Sequence, residues 1–340
     1  MKFSFRGAPL GVSNPLLLLM AACSLSRAED AAKIPPVPPP SETELRTVIT
    51  KGLGFLATAG DQWMADKNCI SCHHLAGLVW SHREAKARGF AVDEKKFTGW
   101  IAWCDERVKV KKPGIEEAAM MILALPERPA PELKSVITAF QQPDGAWKPG
   151  IQLATMQKRG APDAQTNVNL LALLALGTPQ PPPPEFEAAR AKALDAMKAD
   201  GKPTSMESMV FHLHYARRFG TPEETSALLQ DVLKLQRGDG GWSFINGENM
   251  SDPLASGLVL HVLQPTAADP PTAEAISRAQ RWLVNSQRED GSWAIDITHI
   301  SKLDRSGTAK AKSFADTTGI YTYWGTSWAV LGLLQGVPVK

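Results

Sequence analysis

The residues best equipped for chemistry lie together near the N-terminus, in Cys69-Ile70-Ser71-Cys72-His73-His74. Two thiols three apart on a turn can reach the two vinyl groups of one haem, and the histidine that follows is then aimed at the iron. Haem c is therefore the first cofactor expectation, with Cys69 and Cys72 as attachment points and His73 as proximal ligand. Two rival chemistries use the same atoms. A disulfide between Cys69 and Cys72 would be structural or redox-active, and a zinc ion could recruit Cys69, Cys72, Cys104 and either His73 or His74. His74 cannot bind the iron held by its neighbour, so His299 and Met250, both in connecting segments, are the candidate distal ligands, with water as the alternative. His212 and His214 stand two apart on a helix and point in different directions.

Haem attachment and disulfides both belong outside the cytoplasm, and the N-terminus agrees. Lys2 and Arg6 precede a short apolar run over 15–22, followed by small residues, which is the layout of an export signal. Residues 1–28 are read as that signal. Cleavage would follow Ala28, or Leu19-Met20-Ala21-Ala22-Cys23 would serve as a lipobox and leave a lipid on Cys23. Residues 29–41 form a proline-rich tether, and 42–340 a single folded domain that carries the cysteine motif in its first hairpin. The expected location is the periplasm or the cell envelope of a bacterium, with membrane contact only through the N-terminal lipid. Cleavage at Ala28 would leave three cysteines, which no simple disulfide framework accounts for.

With 37 basic and 35 acidic side chains the net charge is +2, and no Lys/Arg-rich tract or phosphate-cradling glycine loop is present. Nucleic-acid binding is excluded on that balance.

The elements that position the motif are legible in a repeat. Gln141-x-x-Asp144-Gly145-x-Trp147 recurs as Gln236-x-x-Asp239-Gly240-x-Trp242 and Gln287-x-x-Asp290-Gly291-x-Trp293. A worn copy keeps only the turn in Met197-x-x-Asp200-Gly201. Asp-Gly supplies a tight turn, the glutamine can bond helix-end backbone, and the tryptophan packs between repeats. Apolar periodicity and caps predict twelve helices, over 43–58, 71–89, 93–110, 113–126, 130–142, 163–177, 183–199, 204–219, 222–237, 252–264, 271–288 and 317–334. Even-numbered stretches are apolar nearly all round and odd-numbered ones amphipathic, which places them inside and outside respectively. The expected fold is all-α, an (α/α)6 toroid of six hairpins in a double ring.

These turns resemble the QW repeats of squalene and oxidosqualene cyclases, and the layout is similar to the toroid of terpenoid cyclases and protein prenyltransferases. The resemblance covers nearly the whole mature chain as fold. It implies either an Asp-x-Asp-Asp acid that protonates the substrate or an Asp-Asp-rich magnesium site, and the sequence has no Asp-Asp pair anywhere. Conventional cyclase activity is not expected. Single acids at inner-helix starts, Asp163, Asp252 and Asp316, read as N-caps first and as cavity acids second. Tyr323 and Trp324 are the aromatic candidates for lining an apolar cavity. The Cys69-x-x-Cys72-His73 pattern is in turn similar to the attachment site of c-type cytochromes, without an evident cytochrome c domain around it.

The leading expectation is an exported, haem-bearing toroid engaged in electron transfer or redox chemistry with a partner protein. The alternatives are a haem-free isoprenoid- or lipid-binding toroid, a divergent terpenoid cyclase-like enzyme, and a zinc or disulfide site at Cys69 and Cys72.

Overall fold

The computed structural model describes residues 38–67, 70, 74–150, 153, 161–198, 201–263, 269–296 and 308–340, without the side chains of 161 and 308–316. The signal, the tether up to residue 37, Cys69, Cys72, His73, His299 and the side chain of Asp316 lie outside the described residues.

Twelve helices run through the described part: α1 Glu42–Lys67, α2 Leu75–Ala87, α3 Glu94–Val110, α4 Ile115–Ala124, α5 Pro131–Ala139, α6 Ala161–Leu176, α7 Glu185–Met197, α8 Met206–Phe219, α9 Pro222–Lys234, α10 Pro253–Leu263, α11 Pro270–Ser286 and α12 Thr308–Leu334. Their starts have local causes. Asp93, Ser205, Thr221 and Asp269 each accept a backbone N–H from the first turn, and proline opens α5, α9 and α11.

The even-numbered helices pack each on the next, α2 on α4, α4 on α6, and so on to α12, which returns to α2. They form a closed inner ring. The odd-numbered helices lie outside, α3 on α2, α5 against α4 and α6, α7 on α6, α9 on α8, α11 on α10, and α1 against α2, α11 and α12. Burial follows this division. Every residue of α10 except His261 is buried, whereas α9 buries Val232 alone. The fold is the all-α toroid that the alternating hydrophobicity predicts.

The repeated turns hold the double ring together by one set of contacts, made three times. In each, the glutamine side chain donates both to the turn glycine and to the next outer helix. Gln141 reaches Gly145 O and Ala189 O of α7, Gln236 reaches Gly240 O and Ala275 O of α11, and Gln287 reaches Gly291 O and Val48 O of α1, all at 2.8–3.0 Å. The tryptophan is fully buried, and its indole N–H donates to the carbonyl ten residues earlier, Ile137, Val232 or Leu283. Its backbone N–H is taken by an inner-helix side chain, Asn169, Ser256 or Thr326. One turn thus fastens two outer helices and one inner helix.

Three helix bounds differ from the periodicity reading by four residues or more. Helix α1 continues past residue 58 to Lys67, because Gly60 lets it pass close to α2 and α12: a Cβ there would meet Leu78 Cδ2 at 2.7 Å and the Tyr323 hydroxyl at 3.1 Å. Helix α2 begins at Leu75 rather than 71, which leaves the cysteine motif in the α1–α2 connection. Helix α12 begins at Thr308 rather than 317.

Candidate functional site

Because inner and outer helices alternate, the ends of the outer helices and the starts of the inner ones share one face of the ring, the face of the three repeated turns. In chain order, residues 68–74 stand between α1 and α2 where a Gln-x-x-Asp-Gly-x-Trp turn stands in those three repeats. Immediately after the motif, His74 is buried and stacked on both sides, against Trp63 of α1 at 3.9 Å and Tyr323 of α12 at 4.0 Å between ring centres. Tyr323 donates its hydroxyl to Leu56 O, and burial, with Asp61 and Cys104 nearby, pushes its phenol well above the usual range. Tyr323 is therefore a buried partner of His74, the residue that follows the motif.

Beside the motif is an open hollow of about 290 Å3 between the end of α1, the end of α3 and the start of α4. Lys67, Arg107, Lys111 and Lys112 line it with Ile70, Val110 and Pro113, against the single acid Glu117. Val110 is 72% exposed, and Arg107 Nε is buried without a hydrogen-bond partner among the described residues. A cationic rim on an apolar floor matches a flat apolar group that bears carboxylates, which is the chemistry of a haem with its two propionates. Cys104, the third cysteine of the zinc alternative, is buried on α3, and burial pushes its thiol up to about 12. A zinc thiolate there would have to overcome that cost.

On the ring axis the described residues leave a cavity of about 20 Å3, room for little more than a water molecule. Trp324, Trp328, Phe211, Met120, Leu171 and Leu153 line it, together with two buried carboxylates, Glu116 of α4 and Glu207 of α8. Glu116 accepts from Gly150 N at 2.8 Å, and Glu207 from Asn167 Nδ2 at 2.8 Å. Trp324 is the one sequence candidate found on this wall. Glutamates in the first turn of a helix read as ordinary partners of the helix dipole, so Glu116 and Glu207 carry no sequence signal of this position.

Asp163 and Asp252 are both buried and serve different ends. Asp252 caps α10, accepting from Ala255 N at 3.0 Å. Asp163 lies inside the first turn of α6 and does not cap it. Its carboxylate crosses to the start of α8, where it accepts from the backbone N–H and hydroxyl of both Thr204 and Ser205. Met250 is 38% exposed in the connection before α10.

On the opposite face His214 of α8 faces His261 of α10 with 6.3 Å between ring centres, while His212 Nδ1 bonds Ser208 O within α8. Burial is the largest cause that holds both rings below the usual histidine range, His214 at about 3 and His261 at about 4. Each then disfavours protonation of the folded state only. Stability from this source is whole above about pH 6.5, where the unfolded chain is also neutral, and falls as pH drops toward about 4. Each histidine contributes a slope of at most about 1.4 kcal/mol per pH unit, less whatever solvent screening reaches the partly exposed rings. Urea midpoints measured across this window should fall with acid, and His261→Gln should flatten the profile.

No family model and no curated protein matches the chain. Solved structures share its fold. The type II terpene cyclase MstE from Scytonema, in complex with merosterolic acid A, superposes with a TM-score of 0.55 at 14% identity, over 88% of this chain and 98% of that one. A possible member of the GH105 family from Salmonella enterica serovar Paratyphi A gives 0.54 at 13% identity, over 88% and 94%. An unsaturated glucuronyl hydrolase from Bacillus sp. GL1, responsible for glycosaminoglycan degradation, gives 0.52 at 16% identity, over 86% and 97%. The chain is an α/α-toroid of the kind used by terpene cyclases and by these glycosidases.

Proposed function

We propose that this exported toroid works at its rim, as the carrier of a haem c held by Cys69, Cys72 and His73 and used for electron transfer with a partner protein. The observation that carries the reading is the cationic hollow beside the motif, in the one outer-to-inner connection where a haem-attachment sequence stands in place of a structural turn. Bound there, haem would supply one-electron chemistry. The chain's own part is to hold and orient the group. Cys69 and Cys72 would form thioethers and His73 the proximal bond. Lys67, Arg107, Lys111 and Lys112 offer positive charge to propionates, and the Trp63–His74–Tyr323 stack fixes the residue that follows the motif. His299, Met250 or water would supply the iron's other ligand.

The test is the full-length chain produced in a host competent in cytochrome maturation. A haemochrome spectrum and an intact mass raised by one haem are expected, both lost in Cys69→Ala/Cys72→Ala. Colourless protein with the mass of the bare processed chain sinks the reading.

A second reading is favoured by the axial carboxylates and by the terpene cyclase among the proteins that share the fold. Here the protein is a divergent terpenoid cyclase-like enzyme or isoprenoid binder in which Glu116 and Glu207 take the place of the missing Asp-x-Asp-Asp acid. Its burden is the 20 Å3 cavity, which must widen to admit an isoprenoid chain. Turnover of a polyprenyl substrate, lost in Glu207→Gln, would establish it; absence of turnover and of binding would remove it.

A further inference from the structure

The inner helices end on the face opposite the cysteine motif, and their ends enclose a second concavity. Trp80, Arg83 and Glu84 of α2, Leu123 of α4, Thr178 after α6, His214 and Arg218 of α8, His261 of α10 and Gln335 after α12 all line an opening of about 330 Å3. It shares His214, Arg218 and His261 with a groove that runs outward between α8, α9 and α10.

This mouth has more donors than acceptors. Trp80 is 5% exposed, and its indole N–H is buried with no hydrogen-bond partner among the described residues. His261, whose ring donates to Leu331 O, has Nδ1 left as an acceptor with no partner among the described residues. Both residues line the mouth, and their rings meet edge to face at 5.3 Å. The single lining acid, Glu84, is already engaged by Arg83 and Arg88. Among the described residues Arg218 has only neutral oxygens, Leu174 O at 3.4 Å, Gly177 O at 3.3 Å and Thr178 Oγ1 at 3.0 Å, and two of these bonds are long. Burial lowers its guanidinium from the usual range with no carboxylate offsetting that cost. Such a group is stabilised by an anion that supplies the missing acceptors. The wall beside it is apolar and flat, formed by Trp80, Leu123 and Pro126.

We propose that this mouth is a binding site for a compact organic carboxylate, its charge paired with Arg218, its oxygen accepting from Trp80 Nε1, and its apolar body against the Trp80, Leu123 and Pro126 wall. The guanidinium fork suits a planar carboxylate, and the apolar wall selects against a bare inorganic anion. The two histidines, neutral at ordinary pH, add hydrogen-bonding capacity without repelling or attracting charge.

Calorimetric titration of the full processed chain with benzoate, and separately with inorganic phosphate, tests this. Saturable benzoate binding is expected, weakened at least tenfold by Arg218→Gln, which removes the paired charge and the guanidinium fork, and about tenfold by Trp80→Phe, which removes one hydrogen-bond donor to a charged group. Lys111→Ala/Lys112→Ala, on the opposite face, should leave it unchanged. Arg218→Gln also loosens the end of α6, so Trp80→Phe is the decisive variant: the indole N–H resonance that disappears in it should shift on addition of benzoate to the parent protein. No saturable benzoate binding, binding equal in Trp80→Phe, or phosphate binding in preference to benzoate would each overturn the proposal.

Discussion

Gly291→Val is expected to destabilise the protein by roughly 3–5 kcal/mol, a large part of the ~5–15 kcal/mol that a domain of this kind possesses. Gly291 has φ +86°, a conformation that a β-branched residue adopts only under strain. A Cβ there would also meet Lys51 O at 2.4 Å and Lys51 C at 2.7 Å, which are backbone atoms of α1 and cannot rotate away. The position matters because this turn joins the last outer helix to the first: Gln287 donates to Val48 O only when α11 and α1 lie side by side. Forcing them apart opens the ring at its closure and uncovers Trp293. Gly145 is built alike, its added Cβ 2.4 Å from Lys192 O, and Gly145→Val should cost a similar amount. Gly201, in the worn copy, has nothing within 4 Å, so Gly201→Ala should stay within about 0.5 kcal/mol of the parent. Urea midpoints for the three variants decide the point. Equal midpoints for Gly291→Val and Gly201→Ala would mean that the turns do not close the ring.

Much of the architecture is local information, which is why the sequence reveals it. Buried-all-round and half-buried helices differ in composition, as α10 and α9 do, and the Gln-x-x-Asp-Gly-x-Trp turn is compact enough to be seen as a motif. What the motif does is less visible. That Gln141, Gln236 and Gln287 fasten the next outer helix depends on residues 39 to 48 positions ahead in the first two turns and 239 positions back in the third. The site shows the same division. Cys69, Cys72 and His73 announce themselves by spacing alone, whereas the cationic hollow beside them is assembled from Lys67 of α1, Arg107 of α3, and Lys111 and Lys112 just after α3, and reads in sequence as ordinary solvated charge. The far mouth is still harder to read. Trp80, His214, Arg218 and His261 come from three helices of the inner ring, and each alone has the pattern of a core or flanking residue. A cavity expectation drawn from Tyr323 and Trp324 together meets the helical period: adjacent residues on α12 point about 100° apart, so Trp324 faces the axis while Tyr323 faces α1 and His74.

Asp163→Ala should be nearly as damaging as the ring-closure variant, and the comparison with Asp163→Asn separates a structural acid from a catalytic one. The carboxylate accepts from Thr204 N at 3.0 Å, Thr204 Oγ1 at 3.0 Å, and Ser205 N and Oγ at 2.7 Å. Ser205 in turn caps α8, and the same short segment pairs on its other side with the chain after the Trp242 turn, through Met206 N to Phe244 O and Asn246 N to Thr204 O. One side chain on α6 therefore fixes the start of α8 and, through it, the next repeat. Alanine leaves several donors near the core without acceptors, at about 1–3 kcal/mol for each that water cannot reach, so a loss of about 4 kcal/mol is expected. Asparagine keeps one acceptor oxygen but turns an amide N–H toward the remaining donors, and should lose about half as much. Asp252→Ala removes a helix cap and should cost about 1 kcal/mol. A catalytic acid would behave in the opposite way: Asp163→Asn would retain its melting temperature and lose only turnover. Calorimetric melting of Asp163→Asn beside Asp252→Ala reads this directly. An unchanged midpoint for Asp163→Asn would return that carboxylate to the list of candidate acids, while a drop larger than that of Asp252→Ala assigns it to holding α6 and α8 in one ring.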